Sequence, residues 1–190
     1  MHLEYYTLGT DLWFAICIIW LIGRLFSKRS VRTQTPGTRL PQAGLAAVAG
    51  FLVFSRYFHV GSLAARFLPD SDTAGAVGLL FTFLGLAVAV WARLPLGHNW
   101  SGTVTVKEDH QLIRRGPYAI VRHPIYTGFL VGFVGMALII GEVRGLLGVA
   151  VLFVAFLLKS RTEEGFMRQQ FGAQYTQYQH DVKALIPFIY

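Results

Sequence analysis

The chain has 190 residues, of which 54% are hydrophobic and only 14% charged, with a formal net charge of +7. A soluble domain carries about a quarter charged residues, so this deficit, gathered into long uncharged runs, excludes an ordinary soluble domain and implies a membrane protein. The positive excess sits in loops beside those runs, without the basic stripe and interleaved aromatics of a nucleic-acid surface, so no nucleic-acid partner is expected.

A helix crossing the hydrocarbon needs roughly 20 apolar residues. Five runs are candidates: 5–26, 45–59, 73–92, 125–141 and 145–158. The last is short, but Lys159 at its end can snorkel to the interface. The first lacks a preceding cationic segment, so it is expected to remain as an anchor rather than be cleaved. Cys17 lies inside it and reads as a small packing residue; as the single cysteine it forms no intramolecular disulfide. Only Glu142, Val143 and Arg144 separate the fourth and fifth runs, which makes them a helical hairpin. Gly75, Gly78 and Gly85 in the third run, and Gly128, Gly132 and Gly135 in the fourth, are spaced for close helix contact.

Loops after the first, third and fifth runs hold most of the Lys and Arg. By the positive-inside rule the N-terminus is outside and the C-terminus cytoplasmic. The intervening segment 94–122 is long and polar but contains Trp100, Leu112, Ile113 and Tyr118, so an ordered loop is expected. In the tail, Phe166, Met167, Phe171, Tyr175, Tyr178, Val182 and Leu185 recur mostly every three or four residues. That spacing predicts one amphipathic helix ending before Pro187, packed over the cytoplasmic ends of the spans. The expected fold is therefore all-α and integral to the membrane, with five transmembrane helices, a cytoplasmic loop and an amphipathic C-terminal helix. A three-helix membrane region, 1–93, would precede a functional region, 94–190.

Three polar stretches fall at the expected cytoplasmic side. They are Leu96-Gly97-His98-Asn99-Trp100-Ser101, then His110 to Tyr118 continuing to Arg122-His123-Pro124-Ile125-Tyr126, and Lys159 to Glu164. Pro124 suits the first turn of a helix. As local sequence, Arg122 and His123 read as an interfacial helix start, and Glu163-Glu164 as a solvated helix face. As a convergent set they could bind a cation, which carboxylates and aromatic faces attract. Lys159 and Arg161 could bind an anion, Arg bidentately. The histidines show no metal-ligand spacing, and no hydrolase or nucleotide-loop motif is present. These residues alone define a membrane enzyme or binding protein with a cytoplasmic polar site.

The same motifs, taken in order, resemble the isoprenylcysteine carboxyl methyltransferase family and, more loosely, the related membrane phospholipid methyltransferases. The resemblance rests on Leu-Gly-x-Asn-Trp-Ser, on His110-x-Leu112 followed by Tyr118, on Arg122-His123-Pro124-x-Tyr126, and on Glu163-Glu164. Phe171-Gly172, Tyr175, Tyr178 and Leu185-Ile186-Pro187 complete it. It covers the chain from Leu96 onward; the N-terminal half matches in hydrophobic pattern only. It implies S-adenosylmethionine as cofactor, bound by Thr105, His110, Gln111, Leu112, Ile113, Tyr118, His123, Pro124, Ile125, Tyr126, Glu163 and Glu164. It implies Lys159, Arg161 and Glu163 as the catalytic set, no metal, and a lipid or lipidated acceptor entering from the bilayer. The eukaryotic relatives carry Arg four residues before the first glutamate; here Lys159 stands there, with Arg161 two residues on, which leaves the acceptor's partner open between them. The expected reaction is carboxyl methylation of a prenylated cysteine or a similar lipophile, with phospholipid N-methylation as the alternative. An NADPH-dependent sterol-reductase-like protein, suggested by residues 186–190, ranks lower, as does a non-catalytic scaffold. A prokaryotic inner membrane is the expected location, or the endoplasmic reticulum in a eukaryote.

Overall fold

The computed structural model describes residues 3–26, 30–57, 60–99, 105–107 and 112–189. Among these residues six α-helices follow in order: α1 (Leu3–Leu25), α2 (Pro36–Phe54), α3 (Asp72–Arg93), α4 (Pro124–Ile140), α5 (Val143–Phe171) and α6 (Ala173–Asp181). One short antiparallel pair, β1 (Ser30–Thr33) with β2 (Thr105–Lys107), is the departure from an all-α chain, with Thr33 opposite Thr105. It joins the loop after α1 to the long loop after α3. Among the described residues three helices are long and apolar enough to cross a membrane: Leu3–Leu25, Asp72–Gly97 and Val143–Phe171; Pro124–Ile140 is apolar but shorter.

Helices α3 and α4 pack face to face because glycines line the seam on both, Gly78 and Gly85 against Gly128, Gly132 and Gly135. A Cβ on Gly85 would overlap backbone atoms of Gly128 and Gly132. Such close approach puts backbone dipoles within reach of a partner helix. Thr82, fully buried, uses it: its hydroxyl lies 3.0 Å from Gly78 O and 3.4 Å from Gly132 O across the seam. Helix α1 runs parallel to α3, with Tyr5 over Gly75 at one end and Arg93 Nη2 3.4 Å from Gly23 O at the other. Helix α2 lies antiparallel to α5, from Gln42 against Leu158 to Val53 against Gly148. The C-terminal ends of α1 and α3 and the N-terminal ends of α2 and α4 therefore gather at one end of the bundle, beside the second half of α5.

Three boundaries differ from expectation. Helix α2 starts at Pro36, well before residue 45, and ends at Phe54, before Arg56. Pro36 at the first turn starts it without loss of a hydrogen bond, and Pro41 is carried inside. The run expected to stop at residue 158 instead continues without a break to Phe171, so the acidic pair lies within the helix, not after it. The single amphipathic tail helix is two helices, separated at Gly172, whose φ of 51° is open to glycine at little cost. The chain beyond α6 then runs extended beside residues 121–123. Arg122 N donates to Lys183 O (2.8 Å) and His123 N to Ala184 O (3.0 Å).

The opposite end is closed by a buried ion pair. Arg144, 1% exposed, donates from Nε to Glu142 (2.6 Å) and from Nη1 to the carbonyls of Leu52 (2.9 Å) and Ser55 (2.6 Å). Arg144 thus satisfies two carbonyls where α2 ends, and its charge is tolerated inside an apolar bundle because it is paired and hydrogen-bonded.

Candidate functional site

The corner at residues 122–126 faces the second half of α5. Pro124 fixes the start of α4, and His123 before it, outside helical geometry, is tied by its N–H to Ala184 O of the C-terminal segment. The His123 ring is thereby set between the two carboxylates. Its Nδ1 lies 3.3 Å from Glu163 Oε2 and its Nε2 3.2 Å from Glu164 Oε1. The Tyr126 hydroxyl donates to Glu163 Oε1 at 2.5 Å. His123 and Tyr126 stack with ring centroids 5.4 Å apart, Tyr126 stacks on Phe156 at 4.6 Å, and the Lys159 ammonium lies 5.2 Å from the Tyr126 centroid.

A second layer sits one residue further round α5, at Glu164. Arg122 approaches Glu164 Oε1 with Nε at 2.8 Å and Nη2 at 2.6 Å, both side chains largely buried. Its Nη1 donates to Gln179 O (3.1 Å) and to Val182 O. The other oxygen of Glu164 accepts from Gln179 Nε2 at 2.8 Å. Tyr178 donates to Tyr118 O at 2.5 Å, and Arg114 stacks over the Tyr178 ring while pairing with Asp181 at 3.1 Å. Arg122 is thus the tie between the corner, α5 and α6.

Charge follows from this wiring. Burial opposes a charged His123, but hydrogen bonds and charges of Glu163 and Glu164 outweigh it and raise its pKa. Both ring nitrogens face carboxylate oxygens, and only the imidazolium donates from both. Burial, reinforced by the Glu163 charge, raises the Tyr118 phenol. Burial also pushes Tyr178 up to about 12, so both stay neutral donors.

The expected site residues divide as follows. His123, Tyr126, Glu163 and Glu164 form one hydrogen-bonded cluster, with Lys159 beside it and Tyr118 within electrostatic reach of Glu163. Pro124 and Ile125 are buried beneath the corner, Leu112 and Ile113 are half-buried, and Ile113 packs on the core. Arg161 is exposed, two residues from each of Lys159 and Glu163 and so on another side of α5. Strand β2 begins at Thr105, whose side chain, with all of His110 and Gln111, lies outside the described residues. The sequence reading passed over Arg122 as a site residue. The signal was its adjacency to His123 opposite two carboxylates, a balance that one imidazole does not supply. Gln179 carried no signal short of the fold.

The region that carries both the corner and the acidic pair is similar to a known family. The family model described as phospholipid methyltransferase matches residues 73–174, which contain both the corner and the acidic pair. The protein-S-isoprenylcysteine O-methyltransferase of Schizosaccharomyces pombe is 37% identical over 131 residues, 67% of this chain and 55% of that protein. A probable protein-S-isoprenylcysteine O-methyltransferase of Oryza sativa subsp. indica is 31% identical over 116 residues, 60% of this chain and 61% of that protein. The solved eukaryotic intramembrane Ras methyltransferase, isoprenylcysteine carboxyl methyltransferase, aligns with a TM-score of 0.54 at 27% identity. That alignment covers 80% of this chain and 54% of the solved one. The matched region thus spans between about half and three-fifths of these relatives' own lengths. On the family match across more than half its length, the chain belongs to the phospholipid methyltransferase family, with isoprenylcysteine methyltransferases among its relatives.

Proposed function

We propose that this chain is a multi-pass membrane methyltransferase that uses S-adenosylmethionine to methylate the carboxylate of a lipophilic acceptor of the prenylated-cysteine kind. The observation that carries the reading is the meeting of Glu163 with His123 and Tyr126 at one end of the bundle, beside Lys159.

The residues fit a cofactor with a sulfonium and an ammonium. The Lys159 ammonium already lies within 5.2 Å of the Tyr126 ring centre, so this corner accommodates a cation. Glu163 uses two lone pairs on Tyr126 and His123, and a carboxylate has about four. Glu163 with Tyr118, Tyr126 and the 112–113 segment would hold the cofactor. When bound, it supplies the methyl group as a sulfonium electrophile.

The protein's own work is positioning. An ionised acceptor carboxylate needs no general base, so Tyr126 and His123 serve to hold Glu163 anionic and oriented. Lys159 is the cation placed to steer the acceptor carboxylate, with Arg161 at the rim. Phe156, Phe129, Trp13 and Trp20 continue in ring-to-ring contact from Tyr126 towards α1, an apolar wall that excludes water and suits an unsaturated tail. Five crossings with the N-terminus outside would put this corner at the cytoplasmic face, as the Lys and Arg distribution favours. Residues 94–190 would then hold most of the catalytic groups.

The family-model match favours one second reading, N-methylation of a phospholipid amine. Calorimetric titration of the detergent-solubilised protein tests the cofactor directly. Saturable binding of S-adenosylhomocysteine with none of NADPH is expected; the reverse would contradict the proposal.

A further inference from the structure

The last residues of the sequence, from Ile186 to Tyr190, take no part in the site described above. Their level in the bundle is fixed by the segment before them. Thr127, in the first turn of α4, donates its hydroxyl to Leu185 O at 2.6 Å, and Leu185 is fully buried. The next residue of α4, Gly128, packs on Ala89 of α3. Ala89 stands four residues before Arg93, the first charge in α3 after Asp72, and so about 6 Å inside the polar end of that helix. Thr127 is nearer that end than Gly128, because the two helices are antiparallel, so Leu185 lies at the edge of the apolar band of α3. Trp91, 47% exposed, stands at the same edge, where aromatic belts sit.

From there the chain turns outward. Ile189 N donates to Ile186 O at 3.2 Å, and Phe188 takes a φ of 66°, a left-handed backbone that bulky residues seldom adopt. The turn leaves Phe188 91%, Ile189 76% and Ile186 38% exposed. Three large apolar side chains bared within four residues are a poor surface for water and an ordinary one for hydrocarbon. Lys183, exposed just before the buried Ala184 and Leu185, suits the phosphate layer above it. The length of α4 gives a further reason. Its 17 residues span about 25 Å against the roughly 30 Å of a hydrocarbon core, so apolar groups beside its first turn extend a short span. The same C-terminal segment holds the corner by its backbone, since His123 N donates to Ala184 O and Arg122 N to Lys183 O.

We propose that Ile186, Phe188 and Ile189 form a membrane-inserted turn, whose side chains enter the lipid bilayer beside the start of α4 and so pin the C-terminal segment against the corner. The partner is the bilayer itself, at its hydrocarbon edge. This rests on the membrane reading of α4 and is independent of the methyl chemistry.

A fluorescent depth measurement tests it. Cys17 is the single cysteine, so a Cys17→Ser background accepts one label at a time. Phe188→Cys, with Gln174→Cys on exposed α6 and Leu84→Cys on the exposed face of α3 as references, is labelled with an environment-sensitive nitrobenzoxadiazole. The protein is then reconstituted in phosphatidylcholine–phosphatidylglycerol vesicles. Position 188 should be quenched more by a lipid spin-labelled near the top of its acyl chain than by aqueous iodide, and position 174 the reverse. Ile189→Cys repeats the measurement if the first variant does not fold. In the same vesicles Phe188→Ser combined with Ile189→Ser should speed hydrogen exchange of the His123 amide by about tenfold, the mark of an easier local opening. Iodide quenching at 188 to match that at 174, quenching by neither agent (as in a contact between copies), or unchanged exchange at His123 overturns the proposal. Loss of lipid quenching at Leu84→Cys as well would refute the membrane reading, and the proposal with it.

Discussion

Arg122 places two of its nitrogens on a single oxygen of Glu164, at 2.8 and 2.6 Å, while its third reaches the backbone at the end of α6. One guanidinium thereby joins the α4 corner, the acidic pair and the C-terminal segment. Glu164, with its second oxygen held by Gln179, is committed to this joint, whereas Glu163 faces the tyrosine and lysine side. Adjacent glutamates on α5 thus carry different duties because a helix turns them about 100° apart.

Removing Arg122 leaves the buried Glu164 with His123 and the neutral amide of Gln179, and without its guanidinium. Arg122→Ala is expected to cost roughly 3–5 kcal/mol, the range for one partner lost from a buried pair. Thermal unfolding in detergent should show a large drop in midpoint, and proteolysis should open at α6 first. An unchanged midpoint would contradict the joint.

Glu163→Ala should abolish measurable binding of S-adenosylhomocysteine while the protein stays folded, since the helix continues through that position. Tyr126→Phe keeps the ring and its stacking and deletes only the 2.5 Å donor. It should weaken binding by roughly ten- to a hundredfold, the value of a hydrogen bond to a charged group. Calorimetry on both variants checks this; wild-type affinity in Glu163→Ala would remove that carboxylate from the site.

His123 titrates near 6.5 in an unfolded chain. Its raised pKa in the fold, set by Glu163 and Glu164 against the opposing effect of burial, means that the charged form is stabilised. That stability is complete below pH of about 6.5 and is lost as pH rises through the folded value. The unfolding midpoint of wild type should therefore fall more steeply above neutrality than that of His123→Gln. Parallel curves would argue against a charged imidazole.

The Arg144–Glu142 pair provides the contrasting case at the far end of the bundle. Arg144→Ala strands Glu142 and two carbonyls at the end of α2. It should lower stability by roughly 3–5 kcal/mol yet leave S-adenosylhomocysteine affinity unchanged at low temperature. A matched loss of affinity would show that the two ends are coupled.

Much of this was legible in the sequence. Uncharged runs gave α1, α3 and α4 to within a few residues, because apolar length is what a bilayer demands. The convergence of residues 122–126 on Glu163-Glu164 was readable from motif order. The start of α2 was not, because Pro36, Arg39, Pro41 and Gln42 interrupt the apolar signal in a helix whose first turns lie at the site end of the bundle. The break at Gly172 was masked, since Phe171, Tyr175 and Tyr178 keep helical spacing across it. Arg122 meets Glu164 at a separation of 42 residues and Gln42 meets Thr162 at 120, which no local pattern encodes.

The central claim is transfer of a methyl group to a lipophilic carboxylate. Incubating the protein with methyl-tritiated S-adenosylmethionine and N-acetyl-S-farnesylcysteine, then treating the extract with base, tests it most directly. Label released as volatile methanol, and lost in Glu163→Ala, is the predicted result, because esters are base-labile. Label that stays on a phosphatidylethanolamine control through base treatment, or no incorporation into either acceptor, would contradict it.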